Sequence, residues 1–244
     1  MGKRIVSRAR GKGGPRYQAH SFRYHATIKH RRYDEIEKNN VIKGKIVNLI
    51  NCPGHTAPLA EVLYENNENS FIPAPANVRV DELIESGIKA AVKTGNTLPL
   101  SKIPDGTLVY NLEIIPGDGG KLCRSSGVNA KVLSHAQDKI IILLPSKKQK
   151  ILDSKCRATV GVIAGAGRKE KPFVKAGKRH LAMMARGRLY PITSGVAMNA
   201  VDHPFGSGRG RKHAKARVAP RFAPAGRNVG MLHARKTGRG KLKI

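Results

Sequence analysis

Tryptophan is absent, and only five Phe and six Tyr occur among 244 residues. Proteins that stack single-stranded bases on aromatic platforms usually carry more. This scarcity favours backbone contacts with folded RNA or duplex. The three cysteines, Cys52, Cys123 and Cys156, are odd in number and widely spaced. They form neither a disulfide framework nor a zinc knuckle, and a reducing, cytoplasmic compartment fits them best. No run approaches the roughly 18 apolar residues of a membrane span. The opening MGKRIVSRARGKGG has no apolar h-region, so no signal peptide is expected. Acids are few: 16 Asp and Glu stand against 46 Lys and Arg, a formal charge of +30.

So large an imbalance opposes a compact state in isolation, because like charges repel. It implies a polyanionic partner, whether nucleic acid, an anionic membrane or an acidic protein. The charge is also unevenly placed. Residues 1–33 hold ten Lys and Arg and no acid, and residues 171–244 hold eighteen and one acid, Asp202. Residues 34–170 hold eighteen bases and fifteen acids. The middle therefore resembles an ordinary folded protein, and residues 34–195 are expected to fold alone. The ends, rich in Gly, Pro and Ala, cannot bury enough apolar surface to offset their ordering entropy. They are predicted to be disordered when free and to act as arms for nucleic acid.

The middle reads as short strands. Residues 41–51 alternate, with Ile42, Gly44 and Ile46 against Lys43 and Lys45. Further strands are expected at 57–65, 70–72, 77–80, 107–115, 150–152 and 157–163, with a hairpin of 128–135 and 139–144 across Ala136, Gln137 and Asp138. Residues 81–86 read as one helical turn, and 176–186 as the one longer helix. Strands at this spacing with turn signals suggest small barrels rather than βαβ units, with a boundary near 87–100.

The motifs are modest. Residues 117–120, GDGG, read equally as a phosphate cradle of backbone N–H groups or as a tight loop. Residues 161–167, GVIAGAG, lack the order of a dinucleotide-binding glycine loop and have no following helix. His20, His25 and His30 recur every five residues, which suits weak RNA contacts better than a metal. Cys52 and His55 are a pair without a second half. His203 beside Asp202 resembles a general base, but no nucleophile or paired carboxylate accompanies it. A loop-fixing histidine is the expected role.

One stretch, GVAMNAVDHPFGSGRGR at 195–211, resembles the signature of the universal second protein of the large ribosomal subunit. The same family is matched by TAPLAEVLYE at 56–65, FIPAP at 71–75, GNTLPLSKIPDGTLVYNLE at 95–113 and PGDGGKLCRSSG at 116–127. CRATVGVIAGAGRKEKPFVKAGKRH at 156–180 and APAGRNVGMLHARKTGR at 223–239 extend the match to nearly the whole chain. The opening and the form HPFGSG resemble the archaeal and eukaryotic branch, and the length favours an archaeal type. Phe205 stands where bacterial relatives usually carry a second His. SerGlyArgGlyArg at 207–211 replaces the family's frequent acidic continuation.

The resemblance implies a mainly β fold: an OB-fold barrel followed by an SH3-like barrel, between long basic extensions. It divides the chain into an N-terminal extension at 1–33, an OB domain at 34–90, an SH3-like domain with a short helix at 91–195 and a C-terminal extension at 196–244. It implies a structural, non-enzymatic constituent of the cytoplasmic ribosome that binds large-subunit ribosomal RNA directly. Other ribosomal proteins are implied as neighbours, along with contact to the small subunit, and no membrane. Support of subunit association, transfer-RNA binding and peptide-bond formation follows, with His203 steadying RNA near the reaction centre. No cofactor is implied, and any Mg2+ belongs to the RNA.

The residues expected to meet RNA fall along the whole chain. In the first arm they are Arg4, Arg8, Arg10, Lys12, Arg16, Arg23, Arg31 and Arg32. In the middle they are Lys121, Arg124, Arg157 and Arg168. Around the helix they are Lys175, Lys178, Arg179, Arg186 and Arg188, followed by Asn199 and His203. The last arm supplies Arg209, Arg211, Lys212, Lys215, Arg217, Arg221, Arg227, Arg235, Lys236 and Arg239. Two rivals stand beside this reading. A DNA compactor would prefer duplex DNA to ribosomal RNA, and an RNA-processing enzyme using His203 and Asp202 would turn RNA over.

Overall fold

The computed structural model describes residues 2–10, 12–206, 218–219, 222–224 and 228–231, leaving out the side chains of Ser7 and Arg8. The chain divides into two compact units. One is His20–Val174, and the other joins residues 1–19 to 175–244.

The larger unit is mainly β. Its strands are β1 (Val41–Ile50), β2 (Leu59–Tyr64), β3 (Asn69–Pro73), β4 (Leu83–Gly87) and β5 (Thr97–Pro99), then β6 (Leu108–Tyr110), β7 (Ala130–Ala136), β8 (Lys139–Leu143), β9 (Gln149–Asp153) and β10 (Arg157–Val160). They form one hydrogen-bonded series in the order β3-β2-β1-β4-β5-β10-β6-β7-β8-β9. Every pairing is antiparallel except a single parallel bridge between Ser86 and Thr97, where β4 meets β5. That bridge joins two halves with separate hydrophobic cores. Ile42, Ile46, Val62, Ile72 and Ile84 fill the first core. Leu98, Leu100, Val109, Val132, Ile140 and Ile142 fill the second.

The period-two pattern of β1 explains its placement. Ile42, Gly44 and Ile46 face inward while Lys43 and Lys45 face out. Gly44 sits mid-strand because a Cβ there would lie 2.7 Å from Val62 Cγ1 and 2.8 Å from the Tyr64 ring. Val47 is an extra residue between the pairs Ile46–Val62 and Asn48–Glu61, a β-bulge that bends the strand. The hairpin of β7 and β8 forms as expected, turning across Gln137 in the left-handed conformation.

Three expectations are corrected. Residues 77–80 are turn rather than strand, with Asn77 at φ +63°. Residues 81–86 are not a helical turn: Asp81 reverses the chain at φ +71° and β4 follows. The strand expected at 107–115 ends at Tyr110, because Asn111 takes φ +50°. A short helix that the apolar pattern did not announce, α2 (Glu35–Asn39), begins at Asp34. The Asp34 side chain accepts from Glu37 N at 3.1 Å, a capping bond worth about 1 kcal/mol.

Among its described residues the smaller unit has two α-helices, α1 (Val6–Arg10) and α3 (Ala176–Met184). Its two chain segments meet where Lys3 N donates to Val201 O at 2.7 Å. They meet again at Gly187, where a Cβ would strike Tyr17 O at 2.6 Å.

Candidate nucleic-acid interface

The expected RNA contacts of the larger unit separate by burial. Arg23, Arg32, Lys121 and Arg168 are exposed, and Arg124 is half-buried. Arg31 and Arg157 are each 2% exposed, and their guanidinium groups are used inside the unit. Arg157 Nη2 and Nε donate to Glu113 Oε1 at 2.7 and 3.1 Å, and Nη1 donates to Glu37 Oε2 at 2.5 Å and to Arg31 O at 2.8 Å. Arg31 binds the Asp34 carboxylate in a bidentate pair, and its Nε approaches Glu68 Oε2 to 2.9 Å without hydrogen-bond alignment. Ser86 Oγ donates to Glu37. The two arginines therefore hold residues 30–37 against the β unit and present no cation to solvent.

The ionisation of this cluster follows from its burial. Desolvation pushes the Glu37 carboxyl above its usual range, against the pull of Arg157. Burial acts on Glu113 in the same sense, but hydrogen bonding and charge from Arg157 outweigh it and hold that carboxyl low. His30 is pushed down to about 4, first by burial and then by the Arg157 charge. A neutral ring suits its contacts: Nε2 donates to Asn111 O at 2.6 Å, and Nδ1 faces the Asn111 amide at 3.5 Å.

The glycine loop at 117–120 is a tight loop with its own anion. Gly117 N and Gly119 N donate to the two oxygens of Glu113 at 3.1 and 3.0 Å. Those N–H groups are occupied, so they cannot cradle a phosphate. Lys121 and Arg124 flank the loop and line an open cleft of about 480 Å³ with Cys123, Leu144 and Pro145. Arg124 Nη2 donates to Ile28 O at 2.9 Å, which fixes one end of its guanidinium. Arg168 Nε donates to Ser126 Oγ at 2.9 Å and remains exposed.

Most of the described cations of the smaller unit are exposed. Arg4, Arg10, Lys12 and Arg16 are exposed, and so are Lys175, Lys178, Arg179 and Arg188. Arg186 is half-buried and Arg179 lies 5.2 Å over the Tyr190 ring. No residue of α3 is buried. His203 is fixed by its own loop. Its Nδ1 accepts from Phe205 N at 3.0 Å, and its ring lies over Gly195, where a Cβ would approach to 2.4 Å. Asn199, itself exposed, accepts through its carbonyl from Asp202 N and His203 N at 3.0 and 3.1 Å. Asp202 pairs with Lys3 at 3.8 Å rather than with the His203 ring. The expected arm residues Arg209, Arg211, Lys212, Lys215, Arg217, Arg221, Arg227, Arg235, Lys236 and Arg239 lie outside the described residues, as does the Arg8 side chain.

Among the described residues, no group of three or more His, Cys, Asp and Glu is gathered to hold a metal ion, and no helix is long and apolar enough to cross a membrane. Cys123 and Cys156 are pushed up to about 11 by burial, which makes them inert thiols.

Residues 93–223 match the family model described as Ribosomal Proteins L2, C-terminal domain. The large ribosomal subunit protein uL2 of Methanothermobacter thermautotrophicus is 51% identical over 239 residues, covering 98% of this chain and 99% of the relative. The uL2 proteins of Methanococcus maripaludis and Methanopyrus kandleri are 50% and 48% identical, over 98% of this chain and 100% and 99% of their own. A relative half identical along nearly the whole of both chains, with a family model spanning more than half of this one, leaves a single conclusion: the chain belongs to the uL2 family of large ribosomal subunit proteins.

Proposed function

We propose that this protein binds large-subunit ribosomal RNA directly, with other ribosomal proteins as neighbours, as a structural rather than catalytic part of the cytoplasmic ribosome. The first core corresponds to an OB-type barrel and the second to an SH3-like barrel, which together give a rigid platform. Through the RNA the protein supports subunit association, including contact with the small subunit, transfer-RNA binding and peptide-bond formation. It needs no cofactor of its own, and Mg2+ belongs to the RNA.

The observation that carries this reading is helix α3. A nine-residue helix is marginal in water without a packed face, and α3 buries none of its residues. Residues 171–180, which include Lys171, Lys175, Lys178 and Arg179, are all exposed and contain no acid. A helix with this charge is stabilised by a polyanion outside the chain. The larger unit favours the same partner, since Asp34, Glu37, Glu68 and Glu113 are turned onto two internal arginines, leaving the outer face more basic.

His203 acts by holding its loop. With Nδ1 engaged by the Phe205 N–H, the ring fixes the turn that runs from Asn199 to Gly206, and the RNA carries the chemistry. The test is binding of the full chain to a large-subunit ribosomal RNA fragment across a salt series, against duplex DNA as competitor. Lys175→Glu with Lys178→Glu is expected to weaken binding and flatten the salt slope by about one unit per lost phosphate contact. Unchanged affinity in that variant, or equal affinity for DNA, overturns the reading.

A further inference from the structure

Phe22 is 80% exposed in a chain with five phenylalanines. It stands on a one-turn 3-10 helix, Ser21–Arg23. The turn is held from below by the residue that follows it. Tyr24 packs with Ile28, Cys52 and Leu59, and its ring lies so close to Gly54 that a Cβ there would meet it at 2.6 Å. Phe22 is thus a projecting ring on a fixed base. His20 stacks with it, the ring centroids 5.7 Å apart and the planes 22° from parallel. The Arg23 guanidinium carbon lies 5.5 Å from the Phe22 centroid.

Burial alternates along the next residues. Tyr24, Ala26, Ile28 and His30 turn inward, while Arg23, His25, Thr27 and Lys29 are exposed. Lys29 N is held by Phe71 O at 3.3 Å and His30 N by Gly119 O at 3.0 Å, so the outer row is fixed to the β unit. Over six residues at roughly 3.3 Å each, this row runs on the order of 20 Å from the platform. An exposed aromatic ring flanked by a second ring and a guanidinium, with the Lys29 ammonium further along the same fixed outer row, matches one ligand chemistry: an unpaired nucleobase in a phosphate-linked strand.

We propose that Phe22, His20 and Arg23 form a platform on which an unpaired RNA base stacks, that Arg23 holds an adjoining phosphate, and that Lys29 meets a phosphate further along the same strand. This rests on the RNA-binding reading above and adds to it a base contact that a purely electrostatic arm lacks. Every base has a π face, so the platform is tolerant of sequence.

The test compares two probes of equal length, oligouridylate and its abasic ribose-phosphate counterpart, on the full chain and its variants. The parent chain is expected to bind oligouridylate about tenfold more tightly. Phe22→Ala removes that preference while leaving the salt slope unchanged, because no charge is altered. Phe22→Trp retains it, and ultraviolet irradiation links uridine to Phe22 in the parent. Phe22 is so exposed that folding is not at stake, and circular dichroism checks this. If Phe22→Ala keeps the preference, or loses both probes equally, the platform is overturned. The platform also falls if the variant keeps its RNA affinity but releases another ribosomal protein from the subunit, since the ring is then a protein contact. A parent chain that binds the ribosomal RNA fragment without preferring bases over abasic chain removes only the platform. A parent that binds no RNA removes the wider reading as well.

Discussion

The Arg157 guanidinium donates twice to a single oxygen, Oε1 of Glu113, from a position 44 residues along the chain, and both side chains are almost entirely buried. The other Glu113 oxygen accepts the Arg157 backbone N–H at 2.9 Å and that of Gly117 at 3.1 Å. Removing one member of a buried ion pair leaves its partner charged and desolvated, at about 3–5 kcal/mol. Arg157→Ala is therefore expected to lower the unfolding free energy by about that amount. Denaturant unfolding of parent and variant in moderate salt measures it, and a loss below about 1 kcal/mol means that water replaces the guanidinium.

His30 makes stability depend on pH in a defined sense. Its folded value, about 4, lies below the ordinary 6.5. Between these values the unfolded chain takes up a proton that the folded chain refuses, so the contribution is full above pH 6.5, falls toward pH 4 and then levels. A shift of this size corresponds to roughly 3 kcal/mol. Glu37, held high by burial, and Glu113, held low by Arg157, act with opposite signs at the acid end. The His30 component is therefore the difference between the parent and His30→Gln. Stability curves of the two are expected to diverge as pH rises from 4 to 6.5 and to run parallel above it.

How far the sequence discloses the fold depends on how local the cause is. The β7–β8 hairpin is legible because alternation and a turn-forming Gln137 act within a dozen residues. Lys175, Lys178 and Arg179 stand exposed as a charge count suggests. Arg31 and Arg157 do not, because the burial of an arginine depends on carboxylates brought from elsewhere: Glu37 lies 120 residues from Arg157 in sequence. Nothing in a linear charge count separates an arginine that faces RNA from one that closes a core. The glycine loop reads two ways in the sequence for the same reason, since its anion is Glu113 and lies within the protein. A scarcity of aromatics argues against stacking, yet Phe22 stands exposed on a fixed turn. The signal in the sequence is its position between His20 and Arg23 in a segment without acids.

Charge alone places the folded core at 34–195. The internal network makes residues 20–33 part of what holds the β unit, through Ile28, His30 and Arg31. A fragment of residues 20–174 is expected to unfold cooperatively and at clearly higher denaturant than a fragment of 34–195. The latter leaves Glu37 without Arg31 and opens the site of Ile28. Equal midpoints for the two fragments, by circular dichroism, would show that the segment before residue 34 is dispensable.

His203→Ala frees the Phe205 N–H and opens space against Gly195, so it is expected to loosen the loop from Asn199 to Gly206. Reconstituted subunits should assemble less completely, and their peptide-bond formation should fall with assembly. The pH–rate profile of the subunits that do assemble should keep its shape, because no proton is relayed through a ring whose Nδ1 is engaged. An ionisation present in the parent profile and absent from the variant, with intact RNA structure, would assign His203 a direct part.

The final arm is expected to dominate the salt dependence of RNA binding. Residues 204–244 contain twelve Lys and Arg and no acid. Steric and geometric limits keep them from all reaching phosphates at once. If about half do, roughly six counterions are released on binding, and log affinity falls against log salt about 4–5 units more steeply than in a chain ending at Phe205. The truncated chain should retain its β-rich circular dichroism, since none of the buried residues of the β unit lies beyond Val174. Gly208 and Gly210 separate charge from approach. Glycine lets the backbone come close to a partner, so exchange of both for Val is expected to weaken binding while preserving the slope. Titrations of the three chains against one ribosomal RNA fragment over a salt series distinguish these effects. A slope that truncation leaves unchanged would make the arm a solvated appendage and assign the affinity to α3 and the outer face of the β unit.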